Sequence, residues 1–230
     1  ISYKLDKAGT NMADVESFKC KLVSYDEITK WCSDVADKIR DIGYMPEVVV
    51  GLTRGGWVPA RILCDELFVK KLYAVKTEHW GVTANPDGNA LLTQELITDV
   101  TGERVLVIDD ITDTGASLKL AVDHVKQKNP AEVMSASLIH IERSEYVPDV
   151  YSYSISGNDW TWFIFPWNVH EDMRTILPKT LYEPKNNKEI QNAFIEQFQI
   201  EPSATLISKT LRDLERLGKV KENNGLWELQ

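Results

Sequence analysis

Long apolar runs are absent from this sequence of 230 residues. None approaches the roughly 20 apolar residues that a helix needs to cross a bilayer. The N-terminus, residues 1–6, is polar and lacks the pattern of a signal peptide. We therefore expect a cytoplasmic protein without membrane contact. The apolar fraction of 43%, with charges of both signs, is typical of a globular chain.

Cysteine and positive charge are also scarce. The three cysteines, Cys20, Cys32 and Cys64, are odd in number and widely spaced, which favours buried free thiols over a disulfide framework. Lysine and arginine together number 26, against 35 aspartates and glutamates, so the net charge is −9. This balance argues against nucleic-acid binding by the whole surface, but it leaves room for a local basic patch.

The sequence does contain a dense polar motif within residues 105–118. Its apolar residues 105–108 predict a strand buried on both faces, as in a parallel sheet. Asp109 and Asp110 follow at the carboxyl end of that strand. The apolar spacing of Leu118–Val125 then predicts a helix.

The loop between this strand and this helix predicts an anion site. A helix N-terminus offers free N–H groups, and Gly115 allows the backbone to approach a ligand closely. Open α/β sheets bind ligands at the carboxyl ends of their strands. Carboxylates beside a phosphate cradle indicate a ligand with hydroxyl and phosphate groups and a divalent cation; the alternative is that Asp109 and Asp110 only cap the helix. The residues assigned to the phosphate are Thr112, Asp113, Thr114, Gly115, Ala116 and Ser117.

A similar strand, loop and helix occur earlier in the chain. Glu47–Leu52 predicts a buried strand, Thr53–Gly56 follows it, and a helix is expected to start near Pro59. Arg54 provides a guanidinium fork suited to phosphate oxygens, and the two glycines of the loop free its backbone. Taken alone, this loop fits a simple turn better than an anion site.

These motifs together resemble type I phosphoribosyltransferases. In that family an apolar strand, two acidic residues, an Asp-Thr-Gly turn and a hydroxyl residue two positions later bind phosphoribosyl diphosphate, and residues 105–117 contain each part in order. The resemblance covers about residues 20–180. It implies an α/β fold with a central, mostly parallel sheet flanked by helices, and a strained, often cis, peptide between Thr53 and Arg54.

The long segment of residues 77–99 predicts a hairpin. Asn85–Gly88 is a strong turn signal, and Thr77–Val82 and Leu91–Ile97 are its expected arms. In the family this position holds a flap that shields the reactive ribosyl cation from water. The alternative is a hairpin without a function.

An aromatic segment, Trp160–Asn168, follows the last predicted strand, Asp149–Ile155. Its rings suit a hydrophobic hood or subunit contact, or a stacking wall for a flat ligand. The segment resembles the Trp-x-x-x-Pro-Trp sequence of 6-oxopurine enzymes, especially the xanthine-guanine type. That resemblance implies that Trp162 or Phe163 stacks on the base.

One group of positions departs from the 6-oxopurine pattern. Those enzymes usually place a lysine just after the strand that ends near Ile139, where it reads the 6-oxo group. This chain has His140, Ile141, Glu142 and Arg143 there. Arg143 or His140 would then act as the donor to the base.

The resemblance implies transfer of a phosphoribosyl group from phosphoribosyl diphosphate to a purine base, with a 6-oxopurine favoured. Asp109 and Asp110 would hold the ribose hydroxyls directly or through Mg²⁺, and Asp113 would be the acid or base toward purine N7. The residues assigned to pyrophosphate are Thr53, Arg54, Gly55 and Arg174. The alternatives are a phosphoribosyl-diphosphate-sensing transcriptional regulator of the same fold, and a phosphoribosyltransferase for adenine or a pyrimidine.

Residues 183–230 differ in character, and we expect a domain boundary after residue 182. A polar linker, two helices and a small hairpin resemble half of a winged helix-turn-helix. Asp213 and Glu215 dilute the outward cations of the second helix, so a role in oligomerisation or in supporting the hood is favoured over DNA binding. The exposed aromatic residues also predict a homo-oligomer. The outward cations are Lys209, Arg212 and Arg216.

Overall fold

Strands and helices alternate through most of the chain, and helices dominate its C-terminal part. The computed structural model describes residues 15–79 and 90–230. In chain order its elements are β1 (Cys20–Leu22), α1 (Tyr25–Ile42), β2 (Val48–Thr53), α2 (Trp57–Glu66), β3 (Lys71–His79), β4 (Ala90–Gln94), β5 (Arg104–Thr112), α3 (Ala116–Lys126), β6 (Glu132–Ile141), β7 (Val150–Ile155), β8 (Trp162–Ile164), α4 (Val169–Ile176), α5 (Asn187–Phe198), α6 (Ala204–Arg216), β9 (Val220–Asn223) and β10 (Leu226–Leu229). They form two compact units: a sheet unit of residues 25–160, and a C-terminal unit that residues 15–24 and 161–230 build together.

The sheet unit is built on six strands in the order β4-β3-β2-β5-β6-β7. All neighbouring strands pair in parallel except β3 and β4, which are antiparallel. Val105 and Val107 of β5 face a core cluster that includes Leu118 and Val122 of α3, while α1 and α2 pack against β2, β5, β6 and β7. The predicted α/β fold with a mostly parallel sheet flanked by helices is therefore confirmed.

The helix boundaries follow local signals. The first helix begins after Ser24 and ends before Gly43, whose φ of +79° lies in the left-handed region that favours glycine. The second helix starts at Trp57, two residues before the predicted start at Pro59. Proline is tolerated there because the N–H groups of a first helical turn have no intrahelical acceptor.

The C-terminal unit has its own hydrophobic core. A cluster of buried side chains joins α4 to α5 and α6, and it includes Met173, Ile176, Phe194, Phe198 and Leu211. The predicted boundary after residue 182 falls inside this unit. Within the described residues, none of the helices is long and apolar enough to cross a membrane.

One element of this unit was not predicted. The strand β1 pairs in parallel with β8, with Cys20 opposite Trp162 and Leu22 opposite Ile164. A strand of three residues is too short to show an apolar period, so its sequence carries no local signal.

Candidate active site

The carboxyl ends of β2 and β5 are neighbours at one edge of the sheet. Two glycines after β2 allow this approach. A Cβ atom on Gly55 would lie 2.0 Å from Oδ2 of Asp110, and one on Gly56 would lie 2.4 Å from the carbonyl oxygen of Ile108. Since no side chain fits in these gaps, the glycines bring the two predicted anion loops together.

Asp109 and Asp110 form a crowded carboxylate pair at this edge. Asp109 Oδ1 accepts a hydrogen bond from the Asp110 N–H at 2.9 Å, and Asp110 Oδ1 accepts one from the Ile111 N–H at 2.9 Å. Burial and the neighbouring charge of Asp110 raise the pKa of Asp109 well above its usual value. The surroundings of Asp109 thus disfavour its negative charge, and a nearby positive charge would offset this effect.

The predicted phosphate loop turns at Gly115. This residue precedes α3 with a φ of +78°, in the left-handed region that favours glycine. A Cβ atom there would lie 2.5 Å from Ser144 Oγ and 2.7 Å from Tyr146 Cβ. The loop after β6 therefore presses against the start of α3, a contact between distant segments that local sequence patterns do not show.

Asp113 and Arg143, two predicted site residues from separate loops, form an ion pair. Arg143 donates to Asp113 Oδ1 from Nε at 2.9 Å and from Nη2 at 2.6 Å. Both side chains remain partly exposed, Asp113 at 42% and Arg143 at 49%. The structure thus joins Asp113, which is expected to exchange a proton with the purine, to Arg143, which is expected to donate a hydrogen bond to it.

Thr112 and His140, on the adjacent strands β5 and β6, lie in the interior of the sheet unit. Thr112 Oγ1 lies 3.0 Å from His140 Nδ1 and 3.4 Å from the carbonyl oxygen of Ile139. Both residues are buried, and burial lowers the pKa of His140, which favours a neutral ring. The Thr112 hydroxyl is therefore engaged between β5 and β6, while the Thr114 hydroxyl accepts from the Ala116 N–H in the loop itself.

The loop after β2 has the backbone that the family resemblance implied. The peptide between Thr53 and Arg54 is cis, which confirms that expectation. Thr53 Oγ1 donates to the carbonyl oxygen of Val75 on the neighbouring strand at 3.1 Å. The Arg54 side chain lies at the protein surface.

The two described arms of the predicted hairpin pair as expected. Glu78 lies opposite Leu91, and Thr77 lies opposite Leu92 in the antiparallel β3–β4 pair. The predicted turn, Asn85–Gly88, lies outside the described residues. Its role as a flap stays a prediction.

Three predicted site residues belong to the C-terminal unit. Trp162 stacks on Phe18 with ring centres 5.7 Å apart and donates from Nε1 to Asp172 at 3.2 Å. Phe163 is buried, and Arg174 forms an ion pair with Asp213 at 3.6 Å. Their roles in binding the base and the pyrophosphate stay predictions. Phe18 and Asp172 were not singled out from the sequence, because their importance depends on these long-range contacts.

In the described part of the chain, the three cysteines neither form disulfides nor join a metal-binding cluster. Cys20, Cys32 and Cys64 are buried free thiols, as predicted. Within residues 15–79 and 90–230, no group of three or more histidine, cysteine or acidic side chains is arranged to hold a metal ion.

Comparison with known proteins gives the family. Residues 21–174 match the model of the phosphoribosyl transferase domain. The chain belongs to this family. That match includes both anion loops and the Asp113–Arg143 pair of this phosphoribosyltransferase.

Individual relatives agree with the family match. The chain is 31% identical over 123 residues to a xanthine-guanine phosphoribosyltransferase of Cereibacter sphaeroides, a match that covers 53% of this chain and 68% of the relative. The fold is similar to that of a purine phosphoribosyltransferase from Pyrococcus horikoshii (TM-score 0.56, 24% identity, 65% of this chain and 94% of the other). It is also similar to that of a xanthine-guanine-hypoxanthine phosphoribosyltransferase from Helicobacter pylori (TM-score 0.54, 23% identity, 67% of this chain and 96% of the other).

Proposed function

We propose that this phosphoribosyltransferase acts in purine salvage. It transfers the 5-phosphoribosyl group from phosphoribosyl diphosphate to a 6-oxopurine base and releases pyrophosphate, giving a nucleoside monophosphate. The observation that carries the proposal is the meeting of two anion loops at the ends of β2 and β5, because phosphoribosyl diphosphate carries a 5-phosphate and a 1-diphosphate on one sugar. The xanthine-guanine activity of the Cereibacter relative supports a 6-oxopurine as the acceptor.

The sugar and its phosphates have distinct partners in this proposal. The 5′-phosphate binds at the start of α3, where Gly115 brings backbone N–H groups close and Thr114 and Ser117 supply hydroxyls. The pyrophosphate binds the loop of Thr53, Arg54 and Gly55. Asp109 and Asp110 face the ribose hydroxyls and offset the positive charge that develops on the ribosyl ring.

Mg²⁺ fits the carboxylate pair. Magnesium prefers oxygen ligands and often binds through one or two carboxylates plus substrate phosphates, and the raised pKa of Asp109 marks a place where cationic charge is favoured. Asp109 and Asp110 would hold the ion, which would neutralise charge on the departing pyrophosphate.

Asp113 and Arg143 act together toward the base. Arg143 binds a single oxygen of Asp113, Oδ1, so Oδ2 is left to exchange a proton with purine N7. The guanidinium has five N–H donors, and those not used on Asp113 suit the 6-oxo group. Arg143 would thus replace the lysine of the related enzymes. A stacking role for Trp162 or Phe163, a cytoplasmic location and a homo-oligomeric state stay predictions.

A direct assay tests the function. The full chain is incubated with phosphoribosyl diphosphate, Mg²⁺ and, in turn, hypoxanthine, guanine, xanthine, adenine, uracil and orotate, and pyrophosphate release is followed. We expect turnover with one or more of the first three bases. Turnover with none of the six would remove the enzyme assignment, and turnover only with adenine, uracil or orotate would remove the 6-oxopurine assignment.

A further inference from the structure

The C-terminal unit contains the full order of elements of a winged helix-turn-helix, of which the sequence showed only half. The helix α4 comes first, the extended residue Lys185 follows, and then α5, α6 and the β9–β10 hairpin. Lys185 and Trp227 exchange backbone hydrogen bonds of 3.0 and 2.8 Å, so β10 lies between Lys185 and β9. In this small sheet, the β9–β10 hairpin corresponds to the wing of the motif.

The two central helices are joined by a tight turn. Gln199 ends α5 with a φ of 58°, and the Ser203 hydroxyl caps α6 by accepting from the Leu206 N–H. Ile207 and Leu211 of α6 are buried against the cluster that contains Phe194. The opposite face of α6 is therefore left at the surface, as in the recognition helix of this motif.

That surface face carries cations and hydroxyls at helical spacing. Their positions, 205, 208 and 209, 212 and 216, follow one another at steps of three or four along the helix, so they share one side of α6, and they line an open groove. They are Thr205, Ser208, Lys209, Arg212 and Arg216.

One carboxylate on this face is already neutralised. Asp213 lies 3.6 Å from Arg174 on α4 and 3.4 Å from Arg216, and its side chain is only 23% exposed. The sequence suggested that Asp213 dilutes the basic residues. The structure instead gives Asp213 a cation from another helix, so the outward charge of the face is positive.

The wing extends this surface. Asn224 and Gly225 have φ values of 50° and 83°, as in the tight turn of a two-residue hairpin loop. A second groove runs from α6 to the wing and is lined by Ser208, Arg212 and Gly225, among others. Glu215 and Glu222 line this second groove as well, whereas Lys209 and Arg216 line the first.

We propose that this winged helix binds duplex DNA, with α6 in the major groove and Lys209, Arg212 and Arg216 on phosphate oxygens. The major groove is about 12 Å wide and admits one α-helix. Cations fix such a helix on the backbone, while hydroxyl groups such as those of Thr205 and Ser208 reach base edges. Duplex DNA carries one negative charge per roughly 1.7 Å of its axis, and this charge density suits a face with three clustered cations. The net charge of −9 on the chain as a whole opposes the binding.

Fluorescence anisotropy tests the proposal. The full chain is titrated into a labelled duplex of random sequence at 50 and 200 mM salt. We expect binding that weakens with salt, with a slope of log K against log[salt] of about −0.9 for each neutralised phosphate, or roughly −3 for three cations. No binding to duplex DNA at 50 mM salt would overturn the proposal, and so would binding to single-stranded RNA alone.

Matched variants locate the binding face. Lys209→Gln/Arg212→Gln/Arg216→Gln should bring the salt slope close to zero and weaken binding at least about tenfold at 50 mM salt. Lys30→Gln/Arg61→Gln/Lys126→Gln, which removes three positive charges from α1, α2 and α3, should keep most of the affinity and slope. Equal losses in both variants, or none in the first, would overturn the proposal.

Two further readouts separate this proposal from its competitors. None of the three cations on α6 belongs to the proposed transferase site, so transferase activity of the α6 variant should match that of the unmodified chain and report that it is folded. Sedimentation should show the same oligomeric state for both proteins. Dissociation of the α6 variant, without DNA binding by the unmodified chain, would assign the face to contacts between copies instead.

Discussion

At the scale of single residues, the candidate site places negative charge where the ligand-free protein disfavours it. Asp109 is the clearest case, because burial and Asp110 raise its pKa. Below pH about 4 the carboxyl group is protonated in both the folded and the unfolded chain. As the pH rises, the unfolded chain ionises first and the folded state loses stability until the pH passes the folded pKa.

Asp109→Asn should therefore make the ligand-free protein more stable at neutral pH. The amide oxygen can still accept from the Asp110 N–H, while the unfavourable charge is gone. Urea denaturation should give a larger free energy of unfolding for the variant at pH 8 and a small difference near pH 4, and transferase activity should fall sharply. Asp65→Asn, a change at an exposed carboxylate on α2, should lack this pH-dependent gain. A variant no more stable than the unmodified chain at pH 8 would contradict the raised pKa of Asp109.

Asp113→Asn separates geometry from proton transfer. Its Oδ1 can still accept from Arg143, so the loop should keep its structure. If Asp113 exchanges a proton with the base, kcat should fall by roughly 10²–10⁴ while the KM for phosphoribosyl diphosphate changes little. Steady-state kinetics measure both constants, and near-normal kcat would remove Asp113 from the acid or base role.

Gly55→Ala tests the close approach of the two loops. The new Cβ would fall 2.0 Å from Oδ2 of Asp110, so the carboxylate or the loop must move. Overpacking of this kind typically costs about 1–3 kcal/mol, and here it would also displace Asp110 from the proposed ribose site. We expect a lower melting temperature and a large loss of kcat/KM, measured by thermal denaturation and kinetics. Unchanged kinetics would show that Asp110 does not need its present position.

At the scale of elements, local sequence patterns predicted the strands, helices and turns that lie within one short segment of the chain. The strand and loop of residues 105–117 and the hairpin arms around Thr77 and Leu91 follow from apolar runs, glycines and turn residues. The contact of Gly115 with Ser144 and the pairing of β1 with β8 do not, because each joins segments far apart in the chain. The ion pair between Asp113 and Arg143 was not predicted for the same reason, and each residue was assigned a separate role.

The helix α5 offers a direct test of such local encoding. Asn186 accepts from the N–H groups of Lys188 and Glu189, and Glu189 accepts in return from the Asn186 N–H at 2.8 Å, a complete capping box. Asn186→Ala should lower the free energy of unfolding by about 1 kcal/mol with transferase activity kept. Chemical denaturation measures the change. Thr29→Ala, within α1, is a control that removes a hydroxyl but no cap, and it should cost less.

At the scale of the whole molecule, residues 175–230 of the C-terminal unit lie beyond the part of the chain that matches the family. The Pyrococcus structure is covered over 94% of its length by only 65% of this chain, and the family match ends at residue 174. The family motifs predicted the sheet unit well. The organisation of the C-terminal unit depends instead on a shared core, in which Ile164 and Met173 pack with Phe194 and Phe198, and composition alone does not reveal such a core.

This shared core predicts the outcome of cutting the chain after residue 182. Removal of α5 and α6 would expose Ile164, Met173, Ile176 and Leu177, each at most 1% exposed in the full chain. Burial of one such side chain contributes about 1.5–3 kcal/mol, so the fragment 1–182 should be poorly soluble, bind a hydrophobic dye and melt at a lower temperature than the full chain. A soluble fragment with the full chain's melting temperature and activity would instead establish residues 1–182 as an independent domain.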